Sequence, residues 1–208
     1  MNPRPSKTKR TWAVHPAGPG RWEDLAQLFG PHGACSGCWC MYRRLTRHDA
    51  DTMSAEQRRN RLRRLVRSAQ PPGLIGYDKG EPVAWVSLGP RTDFAALEAS
   101  RLFRPVDDRP VWSVVCFFVR RDQRRQGWMR RLLRAAADHA AQNGATLLEG
   151  YPIERGGRDL TGDSGFTGVV STFRGEGFRE VARRRADRPI MRRALRQRRA
   201  ARQEDGHD

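Results

Sequence analysis

One stretch of this sequence gathers residue types that hold an anion. Phe117-Phe118-Val119 runs into Arg120-Arg121-Asp122-Gln123-Arg124-Arg125-Gln126-Gly127 and then into Trp128-Met129-Arg130-Arg131-Leu132-Leu133. An apolar strand that passes through a glycine-bearing turn into a helix leaves the first helical amides without internal partners and with partial positive charge. Such an end binds phosphate. Gly127 lets a backbone approach a ligand closely, and Arg124, Arg125, Arg130 and Arg131 add side-chain charge around it. The residues alone point to an anion site for a phosphate-bearing ligand. The plain alternative is a basic exposed turn that binds nothing.

The elements that must position this turn are legible from periodicity. Val111 to Val119 is an unbroken apolar run, which suits a central strand covered on both faces. Trp128 to Asn143 carries Leu132, Leu133, Ala136, Ala137 and Ala140 at helical spacing, with Gly144 in the place of a C-terminal cap. Thr146 to Glu149 reads as another strand, closed by Pro152. Upstream, Trp22, Leu25, Leu28 and Phe29 predict a short helix, and Cys35 to Leu45 is a compact apolar patch with strand-like content. Ser54 with Gln57 forms a capping box before a helix whose apolar face is Leu62, Leu65 and Val66. Gly73–Tyr77 and Pro82–Leu88 make a hairpin across Asp78-Lys79-Gly80. After a long connection with one helical turn from Phe94, the chain ends in a short helix, Thr167 to Arg174, and two strands, Phe178–Ala182 and Pro189–Arg192.

With these elements in order, the segment resembles the acetyl-CoA-binding motif of the GCN5-related N-acetyltransferase (GNAT) superfamily, Gln/Arg-x-x-Gly-x-Gly/Ala after a strand. Phe117-Phe118-Val119 stands at the strand end, Arg124-Arg125-Gln126-Gly127-Trp128-Met129 in the loop, and Leu132-Leu133 at the paired apolar positions. Gly177-Phe178 stands where the family has a late Gly-Phe before its sixth strand. The likeness covers about residues 110–192, and the earlier half matches by element order alone.

The resemblance implies a three-layer α/β/α fold around a mixed, mostly antiparallel sheet of about six or seven strands. It implies acyl transfer, acetyl by default, from acetyl-CoA to a primary amine by direct attack, with no metal. The amides of Gln126, Gly127, Trp128, Met129 and Arg130 would hold the pyrophosphate, with Arg124 opening the loop and Arg125 beside it. Main-chain groups of Phe117, Phe118 and Val119 would run along the pantetheine arm.

Two departures stand out: Met129 replaces a small residue of the loop, and Phe173 stands where the family often has a tyrosine acting as general acid. Ser171 and Thr172 are neighbouring hydroxyls, and Ser171 is taken as a catalytic candidate. Glu149 ends a strand beside the expected cleft and is the candidate general base, with Glu154 and Asp159 after it. The plain alternative for Glu149 is pairing with one of the many arginines.

Bulk properties bound the rest. A chain of 208 residues is one domain with tails. We place a basic tail at 1–18, flexible or with a short edge strand, the acyltransferase domain at 19–193 and a charged tail at 194–208. The net charge of +17 is nearly all arginine, since Lys7, Lys9 and Lys79 are the lysines. That balance favours anionic partners and raises the alternative of a nucleic-acid-binding protein, or an RNA- or ribosome-associated acyltransferase, using Arg58 to Arg67 and Arg192 to Arg202. A homodimer is compatible with the sequence. No apolar run reaches the ~18 residues of a membrane span, and the N-terminus lacks the apolar region of a signal peptide. The expected compartment is the cytoplasm, where Cys35, Cys38, Cys40 and Cys116 stay reduced. The Cys35/Cys38/Cys40 cluster, with His32 and His48, has some of the elements of a zinc site, but packing near the acyl pocket is preferred.

Overall fold

Eight residues, WSVVCFFV, form the strand around which the sheet is built, because apolar side chains on both faces demand a covering layer on each side. The computed structural model describes residues 12–156 and 166–196. In chain order its elements are β1 (Trp12–Pro16), α1 (Trp22–Phe29), α2 (Arg47–Thr52), α3 (Ala55–Val66), β2 (Gly73–Asp78), β3 (Glu81–Pro90), α4 (Ala95–Glu98), β4 (Trp112–Val119), α5 (Trp128–Gln142), β5 (Leu147–Gly150), α6 (Val170–Gly175), β6 (Arg179–Arg183) and β7 (Pro189–Ala194). The strands make one seven-stranded sheet in the order β1-β2-β3-β4-β5-β7-β6. Only β4 and β5 are parallel neighbours; the other pairings are antiparallel. This is the mixed α/β/α sandwich expected from the sequence.

The two faces have separate cores. On one, α5 buries Trp128, Leu132, Leu133, Ala136, Ala137 and Ala140 against Val86, Val114, Phe117 and Leu148 of the strands. On the other, α1 and α3 bury Trp22, Leu25, Leu28, Phe29, Leu62 and Val66 against Ile75, Tyr77 and Trp85. The capping box at Ser54 forms in full, with Gln57 N–H donating to Ser54 Oγ and Ser54 N–H donating to Gln57 Oε1. Much of the arginine on α3 serves packing. Arg59 and Arg63 lie over the Trp22 ring, Arg58 donates to the carbonyls of Gly37 and Ala50, and Arg61 pairs with Asp49.

Two features of the central strands shape the space around β4. The parallel β4–β5 contact lasts only through Trp112↔Leu148, Ser113↔Glu149 and Val114↔Gly150, after which the strands part. Along the other edge of β4, Ser87 pairs with Cys116 and Leu88 with Val114, so Val115 is an extra residue, a β-bulge.

Several local expectations change. Cys35 to Leu45 is a series of turns, because Ala34, Ser36, Trp39 and Cys40 hold positive φ, which a strand cannot accommodate. Of the two readings of the N-terminal stretch, a flexible tail or a short edge strand, residues 12–16 take the second: β1 is an edge strand that pairs with β2 from Trp12↔Asp78 to Pro16↔Leu74. The last helix starts at Val170, three residues later than its sequence signal. Residues 1–11 and 197–208, most of the two tails, lie outside the described residues. Among the described residues no helix is long and apolar enough to cross a membrane.

The parting of β4 and β5 has a packing cause that can be tested. A Cβ on Gly150 would overlap the ring of Phe173, which fills the space beneath the last β4–β5 pair. Gly150→Ala should therefore cost about 1–3 kcal/mol in denaturant unfolding. Phe173→Leu in the same chain should recover part of that loss, so the two changes will not add.

Candidate active site

Beyond Val119 the chain leaves the sheet through a turn at Arg121–Gln123 and enters α5 at Gly127. Arg125 (φ +62°) and Gly127 (φ +80°) both adopt left-handed conformation. Backbone turned this way forms a concavity of amides suited to anions. The amides of Arg125 through Met129 have no acceptor among the described residues, whereas those of Arg130 and Arg131 both donate to Gly127 O. Side chains brace this loop: Arg124 Nε donates to Val119 O at 3.2 Å, and Gln126 Nε2 donates to Asp122 O at 3.2 Å. Arg130 is held away by Glu176, which it shares with Arg134. Trp128 contributes only its amide, because its ring is buried under Arg131.

Met129, the residue that departs from the motif, turns inward. Its Sδ lies 3.1 Å from where a Cβ on Gly168 would sit, and the side chain packs on the α5 core. The loop amides are therefore not shielded by it. Arg120 N–H donates to Val83 O at 2.9 Å. By strand alternation, the main-chain groups of Phe117 and Val119 face away from β3, into the gap where β5 has diverged. The rings of Phe117 and Phe118 are spent on packing, the first against Phe173 and the second against Phe29. A strand edge, a gap and an amide concavity thus lie in series.

The catalytic candidates do not join this series. Glu149 is sealed in the interior, 1% exposed, with Oε1 accepting from Arg91 (3.1 Å) and Tyr151 (2.6 Å) and Oε2 accepting from Arg192 (2.7 Å). Arg192 also reaches Asp107, and Arg91 also bonds the carbonyls of Leu97 and Phe103. Burial, then the Glu149 charge, pushes the Tyr151 phenol far above its ordinary range. Both oxygens of Glu149 are thus taken by guanidinium donors, the pairing that the sequence reading gave as the plain alternative to a base. Ser171 is exposed on the first turn of α6. Phe173 is fully buried between Phe117 and Phe178. Glu154 pairs with Arg183, and Asp159 lies outside the described residues.

A cavity of about 440 Å³ opens on the α1/α3 side of β4. The bulge turns two successive side chains, Val115 and Cys116, into it, and Cys35, Cys38, Cys40, Tyr42 and Arg43 come from the turn-rich segment. Tyr42 from the same segment lines the cavity, whereas its neighbours Trp39 and Met41 are core. Cys40 Sγ accepts from Trp85 Nε1 at 3.1 Å. A hydrogen bond from Cys116, with the indole N–H beside it, holds the Cys40 thiol below its ordinary range in spite of burial. The same contact and burial push the Cys116 thiol well up.

Cys116 reads in sequence as a small buried hydrophobe; only the bulge, invisible to periodicity, makes it a cavity residue. Arg43 and Arg188 also face the cavity, and no sequence signal separates them from the other arginines. Among the described residues no group of three or more His, Cys, Asp or Glu is placed to hold a metal.

Residues 39–151, which include β4, the amide loop, α5 and β5, match the model of the Acetyltransferase (GNAT) family. No curated protein matches the chain. Solved structures share its fold. yncA of Salmonella typhimurium, solved with its cofactor acetyl-CoA, is 13% identical with a TM-score of 0.52, covering 91% of this chain and 96% of that one. A ribosomal-protein-alanine N-acetyltransferase from Brucella melitensis is 16% identical with a TM-score of 0.51, covering 88% and 99%. The paiA N-acetyltransferase of Thermoplasma acidophilum, in complex with coenzyme A, is 12% identical with a TM-score of 0.50, covering 89% and 99%.

The burial of Glu149 gives a clear expectation. Glu149→Ala leaves Arg91 and Arg192 as uncompensated buried charges, which should cost about 3–5 kcal/mol of stability. Activity per folded molecule should fall less than about tenfold, below the 10²–10⁴-fold contribution of a general base. Paired denaturation and initial-rate measurements separate the two roles.

Proposed function

This chain belongs to the acetyltransferase (GNAT) family, and we propose that it transfers an acyl group, acetyl by default, from acetyl-CoA to a primary amine by direct attack. The observation that carries this reading is the open amide concavity at the N-terminus of α5, set at the end of a strand whose edge is exposed by the departure of β5. Acetyl-CoA is the co-substrate.

In the proposed arrangement the pyrophosphate lies on the amides of Gln126, Gly127, Trp128 and Met129, where the helix end favours negative charge. Arg124 and Arg125, exposed at the mouth of the loop, add charge. The pantetheine amides pair with the main chain of Phe117 and Val119 as an added strand would. That register carries the thioester toward the bulge at Val115–Cys116, where a β4 amide polarises its carbonyl. An amine in the adjoining cavity then attacks directly, and much of the rate comes from holding the two groups together. The proton transfers fall to groups that face the cavity, where the thiols of Cys40 and Cys116 meet. Phe173 has no proton to give.

Acetyl-CoA should raise the melting temperature. At a hundredfold excess over Kd the linkage amounts to about 2.7 kcal/mol, a shift of several degrees. Gly127→Glu puts a carboxylate and a Cβ at a left-handed position facing the phosphates, and should abolish the shift while the far-ultraviolet spectrum stays native. The absence of a shift with the wild-type chain at millimolar acetyl-CoA would overturn the reading.

A further inference from the structure

Among the described residues the buried arginines are matched by acids: Arg44 meets Asp93, Arg91 meets Glu98 and Glu149, and Arg192 meets Glu149 and Asp107. Two half-buried arginines that face the acceptor cavity are not. Arg43 lies over the rings of Tyr42 (5.3 Å) and Phe103 (5.5 Å) and has no carboxylate partner among the described residues. Arg188 donates to the Thr167 hydroxyl at 3.0 Å; the adjacent Asp187 is taken by Arg185 at 2.7 Å. Burial destabilises the charge on both guanidiniums, and at Arg188 the charges of Arg185 and Arg43 add to it.

Among the described residues the cavity offers little inside to cancel them. Arg58 also faces it but is committed to the carbonyls of Gly37 and Ala50. The cavity's one acid among the described residues, Asp51, is 71% exposed and lies 3.9 Å from Arg47. Two half-buried, unmatched guanidiniums in one cavity are a costly arrangement that an anion would relieve, and their planar forks suit carboxylate or phosphate oxygens.

We propose that the acyl acceptor is a primary amine that also carries an anion, a carboxylate or a phosphate, and that Arg43 and Arg188 hold this anion while the amine reaches the Val115–Cys116 bulge. This rests on the acyltransfer reading above and names its acceptor class.

The cysteines that line the cavity give a readout that needs no catalysis. Iodoacetate and iodoacetamide alkylate thiolates alike but differ in charge, so the ratio of their rates at one cysteine cancels its thiolate fraction. In the wild-type chain the cavity cysteines should favour iodoacetate, and inorganic phosphate should protect them at constant ionic strength. Arg43→Gln or Arg188→Gln should lower the rate ratio about tenfold, the loss of one charge-assisted contact. The faster reaction of iodoacetamide with the wild-type chain, unaffected by phosphate, would overturn the anion site even if neither variant folds.

A second arm uses acetyl-CoA with β-alanine, phosphoethanolamine and ethanolamine. One of the two anionic amines should exceed ethanolamine in kcat/KM by about tenfold or more, and which one does so identifies the anion. Equal rates for all three overturn the acceptor class. Anion-selective labelling with no acetylation of any amine leaves the anion site standing and overturns the acyltransfer reading instead.

Discussion

The separation of β4 from β5 is the constraint on which the site depends. Three residue pairs hold the strands together, and they are pinned at Glu149, whose carboxylate is gripped by Arg91 from before β4 and Arg192 from β7. Immediately after it, Gly150 has no side chain, so the Phe173 ring can sit beneath the last pair. The clamp fixes where pairing stops and the ring helps to keep the strands apart. What remains is a length of β4 whose main-chain groups face a gap and whose end feeds the amide concavity at Gly127. A buried ion pair is rarely a net source of stability against an apolar substitute; here it sets the register from which the gap begins.

The bulge at Val115 does for the opposite face what the gap does for the edge. Strict alternation would send Val115 and Cys116 to different faces of the sheet. The extra residue turns both toward the α1/α3 side, where the segment of positive-φ turns brings Cys40, Tyr42 and Arg43 to meet them. In the proposed reading, donor and acceptor therefore meet at one irregularity of one strand: the donor arrives along its edge and the acceptor across its face.

The range of each interaction decides how much of it is legible in sequence. β4, α5 and the loop between them are specified by neighbours in the chain, through an unbroken apolar run, a 3.6-residue period and a glycine at φ +80°, and their positions in the fold match. The clamp on Glu149 is not legible because its partners stand 58 and 43 residues away, and nothing local distinguishes a carboxylate that faces a cleft from one that is clamped. The segment from Cys35 to Leu45 reads wrongly as strand because its non-glycine left-handed residues carry no periodic signal. The charge of +17 is legible as a number but not as a distribution. On α3, arginines that look like a polyanion-binding run cover Trp22 or bond carbonyls.

That distribution also bears on how an amine acceptor could react. An ammonium ion is not a nucleophile; it must lose its proton before attack. In the proposed reading, two unmatched guanidiniums near the acceptor would destabilise the ammonium form and lower its pKa, the same like-charge effect that separates neighbouring lysines from their protons. If the acceptor's own anion sits on those guanidiniums, it compensates them at one end of the molecule while the amine, several bonds away, still experiences a net positive field from the rest of the cavity. The overall positive potential draws in the polyanionic donor as well. Electrostatics would then perform part of the task that a general base performs elsewhere, with Glu149 clamped in the interior between Arg91 and Arg192.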